Sequence, residues 1–162
     1  MKDKILITGG TGRLATELKK HLSGDYLSKK DFDFTKSITK KKKYSLILHI
    51  GAYTNVKKAE FEDQEKCFIT NVYGTFNLVE YYINTPFVFI STEYAHNPIG
   101  VYALTKKLGE EIVKTHPHHL ILRTLFKPNP FPFPKAYIDQ YTQGDYIDVI
   151  AKLLVKKIKT WN

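Results

Sequence analysis

Short apolar runs alternate along this chain with longer stretches in which apolar residues recur every three or four positions. The runs at 4–8, 25–28, 45–50, 87–91 and 120–124 have the length and composition of strands. Ser-Leu-Ile-Leu-His-Ile at 45–50 is apolar enough to be a central strand. Helical spacing predicts helices over 13–22, 64–82, 102–116 and 147–158. In 64–82 the core-like positions are Phe68, Val72, Phe76 and Val79, with Ile83 just beyond. In 102–116 they are Leu104, Leu108, Ile112 and Val113. Strands that alternate with helices imply an α/β fold, a parallel sheet with helices on both faces. No internal repeat is visible.

One segment breaks this rhythm. Phe126-Lys127-Pro128-Asn129-Pro130-Phe131-Pro132-Phe133-Pro134 holds four prolines in seven residues. Proline at that density forbids a helix or a central strand. The segment leaves the C-terminal end of the fifth strand, the edge where ligands bind in such sheets. It reads either as a stiff wall beside a site, with Phe131 and Phe133 in contact with a ligand, or as a surface connector.

Composition narrows the class. With 162 residues and 43% apolar content, the chain reads as one domain over 1–162 with an adequate core. It has no long apolar run and no signal-peptide core, so neither a membrane span nor secretion is expected, and a cytoplasmic location is. A single cysteine, Cys67, allows no intrachain disulfide, and the six histidines lack metal-binding spacing, so no metal is expected. The formal charge of +9 favours anionic partners. Lys40-Lys41-Lys42-Lys43 is its densest cluster and reads as a solvated helix end rather than a nucleic-acid patch.

Two groups of residues carry chemistry. Gly9-Gly10-Thr11-Gly12 lies between the first strand and the first helix, with Ala15 where a third glycine often stands. A strand, a Gly-rich turn and a helix make the first unit of a Rossmann-type, doubly wound sheet, in which a dinucleotide pyrophosphate approaches the turn. Further on, Tyr102 and Lys106 stand four apart on a predicted helix, one above the other. An ammonium beside a phenol favours the phenolate. A hydroxyl from Ser91 or Thr92 could hold a carbonyl against that phenol. This is equipment for moving a proton at an oxygen while a hydride moves at its carbon. The second strand ends in Ser28-Lys29-Lys30, which suits the 2′-phosphate of NADPH, although Asp31 follows and keeps NADH possible.

In order along residues 4–124, these motifs resemble the short-chain dehydrogenase/reductase superfamily, extended type. The likeness is strongest to the dTDP-4-dehydrorhamnose reductase and NAD-dependent epimerase family, in shortened form. Thr8-Gly9-Gly10-Thr11-Gly12-Arg13-Leu14-Ala15 resembles its phosphate turn, and Asp31-Phe32-Asp33-Phe34-Thr35 its segment after the second strand. His49-Ile50-Gly51-Ala52-Tyr53-Thr54-Asn55-Val56, with Lys58-Ala59-Glu60, resembles its strand end against the cofactor. Asn71-Val72-Tyr73-Gly74-Thr75, Ser91-Thr92-Glu93-Tyr94, Tyr102–Lys106 and Leu122-Arg123-Thr124 match further family motifs. Gln140-Tyr141-Thr142-Gln143-Gly144 with Asp148-Val149-Ile150-Ala151 matches its final region more loosely.

The resemblance implies an NAD(P)-dependent oxidoreductase that reduces a 4-keto nucleotide-sugar. Tyr102 would be the general acid, and Lys106 would lower its pKa and bond the nicotinamide ribose. Thr92 would bond the substrate oxygen, and Glu93 could assist proton delivery. Cofactor contacts would come from Gly9, Thr11, Gly12, Arg13, Leu14, Ser28, Lys29, Asp33, Phe34, Gly51, Ala52, Tyr53, Asn71, Tyr102 and Lys106, with Asp33 near the adenine. A homodimer through 64–82 and 102–116 is implied too, with Tyr73, Tyr81 and Tyr82 as candidate interface residues. Two departures stand out. Thr92 and Tyr102 are unusually close in sequence, and only 56 residues follow Lys106. The substrate-side region, 126–162, is therefore reduced. A related epimerase and a non-catalytic dinucleotide-binding subunit remain as alternatives.

Overall fold

The computed structural model describes residues 4–39, 42–135 and 144–161. Lys40 and Lys41 of the lysine cluster, and residues 140–143 of the loosely matched final region, lie outside the described residues. Lys42 and Lys43 belong to no helix, because the described residues from 28 to 45 hold none, so they are not the expected helix end. The elements, in chain order, are β1 (Ile5–Thr8), α1 (Arg13–Leu18), β2 (Asp25–Leu27), β3 (Leu46–His49), α2 (Val56–Phe61) and α3 (Gln64–Phe68). A π-helical turn (Ile69–Tyr73) leads into α4 (Gly74–Tyr81), followed by β4 (Phe87–Thr92) and a 3₁₀ turn (Glu93–Ala95). Then come α5 (Val101–Val113), β5 (His119–Thr124), β6 (Phe126–Lys127), β7 (Asp145–Tyr146) and α6 (Ile147–Trp161).

The five predicted strands form one parallel sheet in the order β2-β1-β3-β4-β5. Strand order reverses between β1 and β3, so the connections on either side leave in opposite directions. The crevice beyond the C-terminal ends of those two strands is where such sheets bind ligands. β4 and β5 share the longest register, from Phe87↔His119 to Thr92↔Thr124.

Alternation along each strand divides the apolar side chains between two cores. Ile7, Leu48, Val88 and Ile90 pack against Leu14 and Leu18 of α1 and against Ile150, Leu154, Val155 and Ile158 of α6. Leu6, Ile47, Phe87 and Phe89 face the other way, onto Phe34, Leu78, Val79, Tyr82 and Val113. The sheet is thus buried on both faces, as apolar strands without polar alternation require.

The helical faces differ from the sequence expectation. Phe68, Phe76, Ile83 and Leu104 are 37%, 46%, 38% and 42% exposed. The buried face of α3, the π turn and α4 is made by Cys67, Asn71, Gly74, Thr75, Leu78 and Val79. That of α5 is made by Ala103, Thr105, Lys106, Gly109, Glu110 and Val113. Close approach is the reason. A Cβ on Gly109 would lie 3.0 Å from the Asn71 carbonyl oxygen, and one on Gly74 would lie 2.6 Å from the Phe34 ring. Small and hydrogen-bonded residues fit such contacts, so the larger apolar ones are turned outward. Tyr82 is buried at 6%, while Tyr73 is 52% exposed.

The predicted 64–82 helix is one run interrupted by the π-helical turn, a feature that apolar spacing does not announce. The short helix α2 and the two-residue parallel pair β6–β7 were not visible in the apolar pattern. Within the proline-rich segment, Phe131 and Phe133 touch edge to face at 5.6 Å, and Phe133 is 66% exposed. The aromatic side chain that reaches the crevice is Phe126.

Candidate functional site

A cavity of about 520 Å³ opens at the β1/β3 reversal and runs past the end of β4. At one end its walls are Gly9, Thr11, Gly12, Arg13 and Leu14, with Lys29, Asp33 and Phe34 beside them. Gly51, Ala52 and Tyr53 form the middle, and Thr92, Tyr102 and Lys106 the far end.

The first end is built from backbone. Gly9 has φ +67°, and a Cβ there would lie 2.7 Å from the Gly51 Cα. The turn therefore rests directly on the chain leaving β3, in a conformation that favours glycine. A Cβ on Gly12 would meet only the Gly9 carbonyl oxygen, at 3.2 Å. Its bare face thus leaves room in the cavity, as close backbone approach to a phosphate requires.

A buried hydrogen-bond chain braces this junction. The Thr75 hydroxyl donates to the Asn71 carbonyl at 2.7 Å, so it accepts from His49 Nε2 at 3.1 Å. His49 Nδ1 then accepts from the Thr8 hydroxyl at 2.7 Å, and Thr8 Oγ1 accepts from the Gly51 N–H at 3.0 Å. Every member is satisfied only when His49 is neutral with its proton on Nε2. Burial, with the Lys106 charge, holds His49 well below its ordinary pKa.

The far end is built from buried side chains. Lys106 is 3% exposed; its Nζ donates to the Ile90 carbonyl at 2.8 Å and lies 3.9 Å from the Phe89 ring centroid. Burial lowers its pKa to about 7, against the pull of Glu110. Burial pushes the Tyr102 phenol up to about 12, while the nearby Thr92 side chain favours the ionised form. The expected lowering of Tyr102 by Lys106 is absent here: desolvation dominates, and the ammonium is engaged by Ile90. A phenol held protonated is suited to give a proton.

Three other expected residues stand off the lining. Ser28 turns its N–H and hydroxyl to the Asp31 carboxylate, at 3.0 and 2.6 Å. Asn71 is 1% exposed and holds the cavity wall from behind, accepting the Tyr53 N–H at 2.8 Å and donating to Thr105 at 3.0 Å. Glu93 is part-exposed on the 3₁₀ turn, in the field of Arg123. Asp33 lines the cavity. Burial opposes its charge, but the Thr35 hydroxyl and N–H hold its carboxyl below the ordinary range. Phe126, Tyr94 and Lys66 also line the cavity and carried no signal in the apolar pattern.

The profile described as RmlD substrate binding domain matches residues 3–153. The chain belongs to this family. No curated protein matches the sequence.

Among solved structures, a hypothetical dTDP-4-dehydrorhamnose reductase from Sulfolobus tokodaii aligns with TM-score 0.68 and 19% identity, over 98% of this chain and 73% of its own. UDP-glucuronic acid 4-epimerase from Bacillus cereus, solved with UDP-glucuronic acid and NAD, aligns with TM-score 0.59 and 17% identity. That match covers 77% of this chain and 57% of the epimerase, so the chain spans little more than half of that protein. A small-chain dehydrogenase in complex with NADPH aligns with TM-score 0.58 and 14% identity, over 78% of this chain and 72% of its own. At these identities the likeness is one of fold. No helix among the described residues is long and apolar enough to cross a membrane.

Proposed function

We propose that the chain catalyses NADPH-dependent reduction of a 4-keto nucleotide-sugar, with Tyr102 as proton donor. The observation that carries this reading is a single cavity with a glycine turn at one end and Thr92, Tyr102 and Lys106 at the other. A nicotinamide dinucleotide fits the bare faces of that turn and, when bound, supplies the hydride. Gly9, Thr11, Gly12 and Arg13 would hold its phosphates, Asp33 its adenine end, and Lys106 its nicotinamide ribose. Thr92 orients the substrate carbonyl, and Tyr102 gives its proton to the carbonyl oxygen as charge develops there. The preference for NADPH is supported by Lys29 and Arg13 on the lining, and by Asp31 being tied to Ser28.

A second copy of the chain suits the apolar outer face of the helical layer. Phe68, Tyr73, Phe76 and Leu104, on α3, the π turn, α4 and α5, have 37% to 52% of their surface exposed, and aromatic residues are enriched where protein surfaces meet. Sedimentation at several protein concentrations tests this, and a strictly monomeric chain would count against it.

The decisive experiment is a titration with NADPH and NADH, followed by NADPH oxidation in the presence of a dTDP-4-keto-6-deoxy sugar. The expected result is tighter binding of NADPH and substrate-dependent oxidation that falls by about two to four orders of magnitude in Tyr102→Phe. Binding without oxidation would favour a dinucleotide-binding subunit. Full turnover in Tyr102→Phe would overturn the assignment of the proton donor.

A further inference from the structure

α5 carries a second buried ionisable group one turn after Lys106. Glu110 is 1% exposed, and the four-residue step places it on the same helix face as Lys106. Its Oε1 accepts from Arg123 Nε at 2.8 Å and its Oε2 from Arg123 Nη2 at 2.7 Å. This two-point pairing fixes the carboxylate plane. Arg123 stands beside Ser91 in the β4–β5 register, and its Nη1 lies 3.4 Å from Nδ1 of His96, just past the 3₁₀ turn that follows Thr92.

We propose that Glu110 is a positioning residue that acts through Lys106: its carboxylate, clamped by Arg123 one helical turn away, keeps the buried ammonium charged at the floor of the cavity. A lone ammonium removed from water sheds its proton unless something nearby compensates. The groups facing Lys106 are the Ile90 carbonyl and Phe89 ring of β4, His49 of β3, Cys67 of α3, and Tyr102 and Glu110 of its own helix. His49, Cys67 and Tyr102 are each held neutral by burial. That leaves Glu110 as the anion in this set. Glu110 in turn faces Arg123, Lys107 at 3.9 Å, and the buried Ser91 hydroxyl, which lacks hydrogen-bond geometry but lies close enough to favour the ionised carboxylate. Burial opposes that charge most strongly, and Arg123, Ser91 and Lys107 together outweigh it. A charged Lys106 keeps two donors free beyond Ile90, enough for a pair of ribose hydroxyls. This last step rests on the function proposed above; the charge relation does not.

The test is the titration of Lys106 in the full chain, followed by carbon NMR at its ε position and assigned by the signal lost in Lys106→Met. Glu110→Gln is expected to lower the midpoint by about one to two pH units, roughly a tenfold or greater loss of charged Lys106 relative to neutral at a given pH. Glu110→Asp should restore most of it, and NADPH affinity should follow the same pH limb. A packing role alone would lower the melting temperature and leave the midpoint in place. An unchanged midpoint in folded Glu110→Gln overturns the proposal. Where Glu110→Gln does not fold, Glu110→Asp, whose carboxylate is set back by one methylene, must show a smaller downward shift, and no shift there overturns it equally. A shifted midpoint in a protein that oxidises no NADPH supports the charge relation and counts only against the reductase reading.

Discussion

The walls of the cavity are backbone where Gly9, Thr11 and Gly12 form them, and buried side chains where Thr92, Tyr102 and Lys106 do. The turn rests on Gly51 through contacts that admit no Cβ, braced by the uncharged Thr8–His49–Thr75 chain. The far end keeps an ammonium and a carboxylate almost wholly out of water and raises a phenol pKa to about 12. One end is stabilised by close packing. The other spends folding stability to keep reactive groups desolvated, an arrangement common at sites of chemistry.

That contrast can be broken most forcefully at the turn. Gly9→Val places a branched side chain in a positive-φ position and against the Gly51 backbone. It should destabilise the protein by roughly 2–4 kcal/mol in urea unfolding and abolish dinucleotide binding. A variant that keeps wild-type stability would show that the turn can yield.

The opposite sign is expected at the other end. Lys106→Met removes a desolvated charge, fills similar volume, and leaves Glu110 paired with Arg123. It should stabilise the fold by on the order of 1–3 kcal/mol while eliminating turnover. A destabilised Lys106→Met would place the ammonium among the groups that hold the fold together.

The brace at His49 makes the turn acid-sensitive. The folded pKa of His49 lies well below its unfolded value near 6.5. The unfolded chain therefore binds the extra proton first. This contribution to stability is complete above pH 6.5 and falls as the pH drops below it, by up to about 1.4 kcal/mol per pH unit. Denaturant midpoints at a series of pH values check this, and a His49→Gln variant should lose that part of the slope.

The smallest effect belongs to the start of the helix that carries Tyr102. The Glu60 carboxylate accepts the Val101 N–H at 2.8 Å, one residue before Tyr102. Glu60→Ala should cost about 1 kcal/mol, and Glu60→Gln less, because the amide oxygen still accepts that bond. Thermal melts of the two variants would separate the hydrogen bond from the charge.

Much of this arrangement was legible before folding. The apolar runs marked five strands, and their alternation with helical spacing implied the parallel sheet. The glycine turn was legible because its role follows from local backbone chemistry next to a strand. The Tyr102–Lys106 spacing was legible because four residues is one helical turn. Apolar spacing misassigned the faces at Phe68, Phe76 and Leu104, because Gly74 and Gly109 bring neighbouring elements too close for large side chains. Glu110 was overlooked for a related reason. A Glu one turn from a Lys ordinarily marks a solvated surface pair, and only burial beneath β4 and β5 makes it something else.

The amino-acid sequence alone therefore determined the order of elements, the turn at Gly9–Gly12 and the pairing of Tyr102 with Lys106 on one helix. All three depend on residues within a few positions of one another. The tertiary structure decided which helical faces are buried, that His49 is neutral, that Tyr102 stays protonated, and that Glu110 and Arg123 stand behind Lys106. Those outcomes depend on desolvation and charge supplied by segments distant along the chain, and only the packed sheet brings them together.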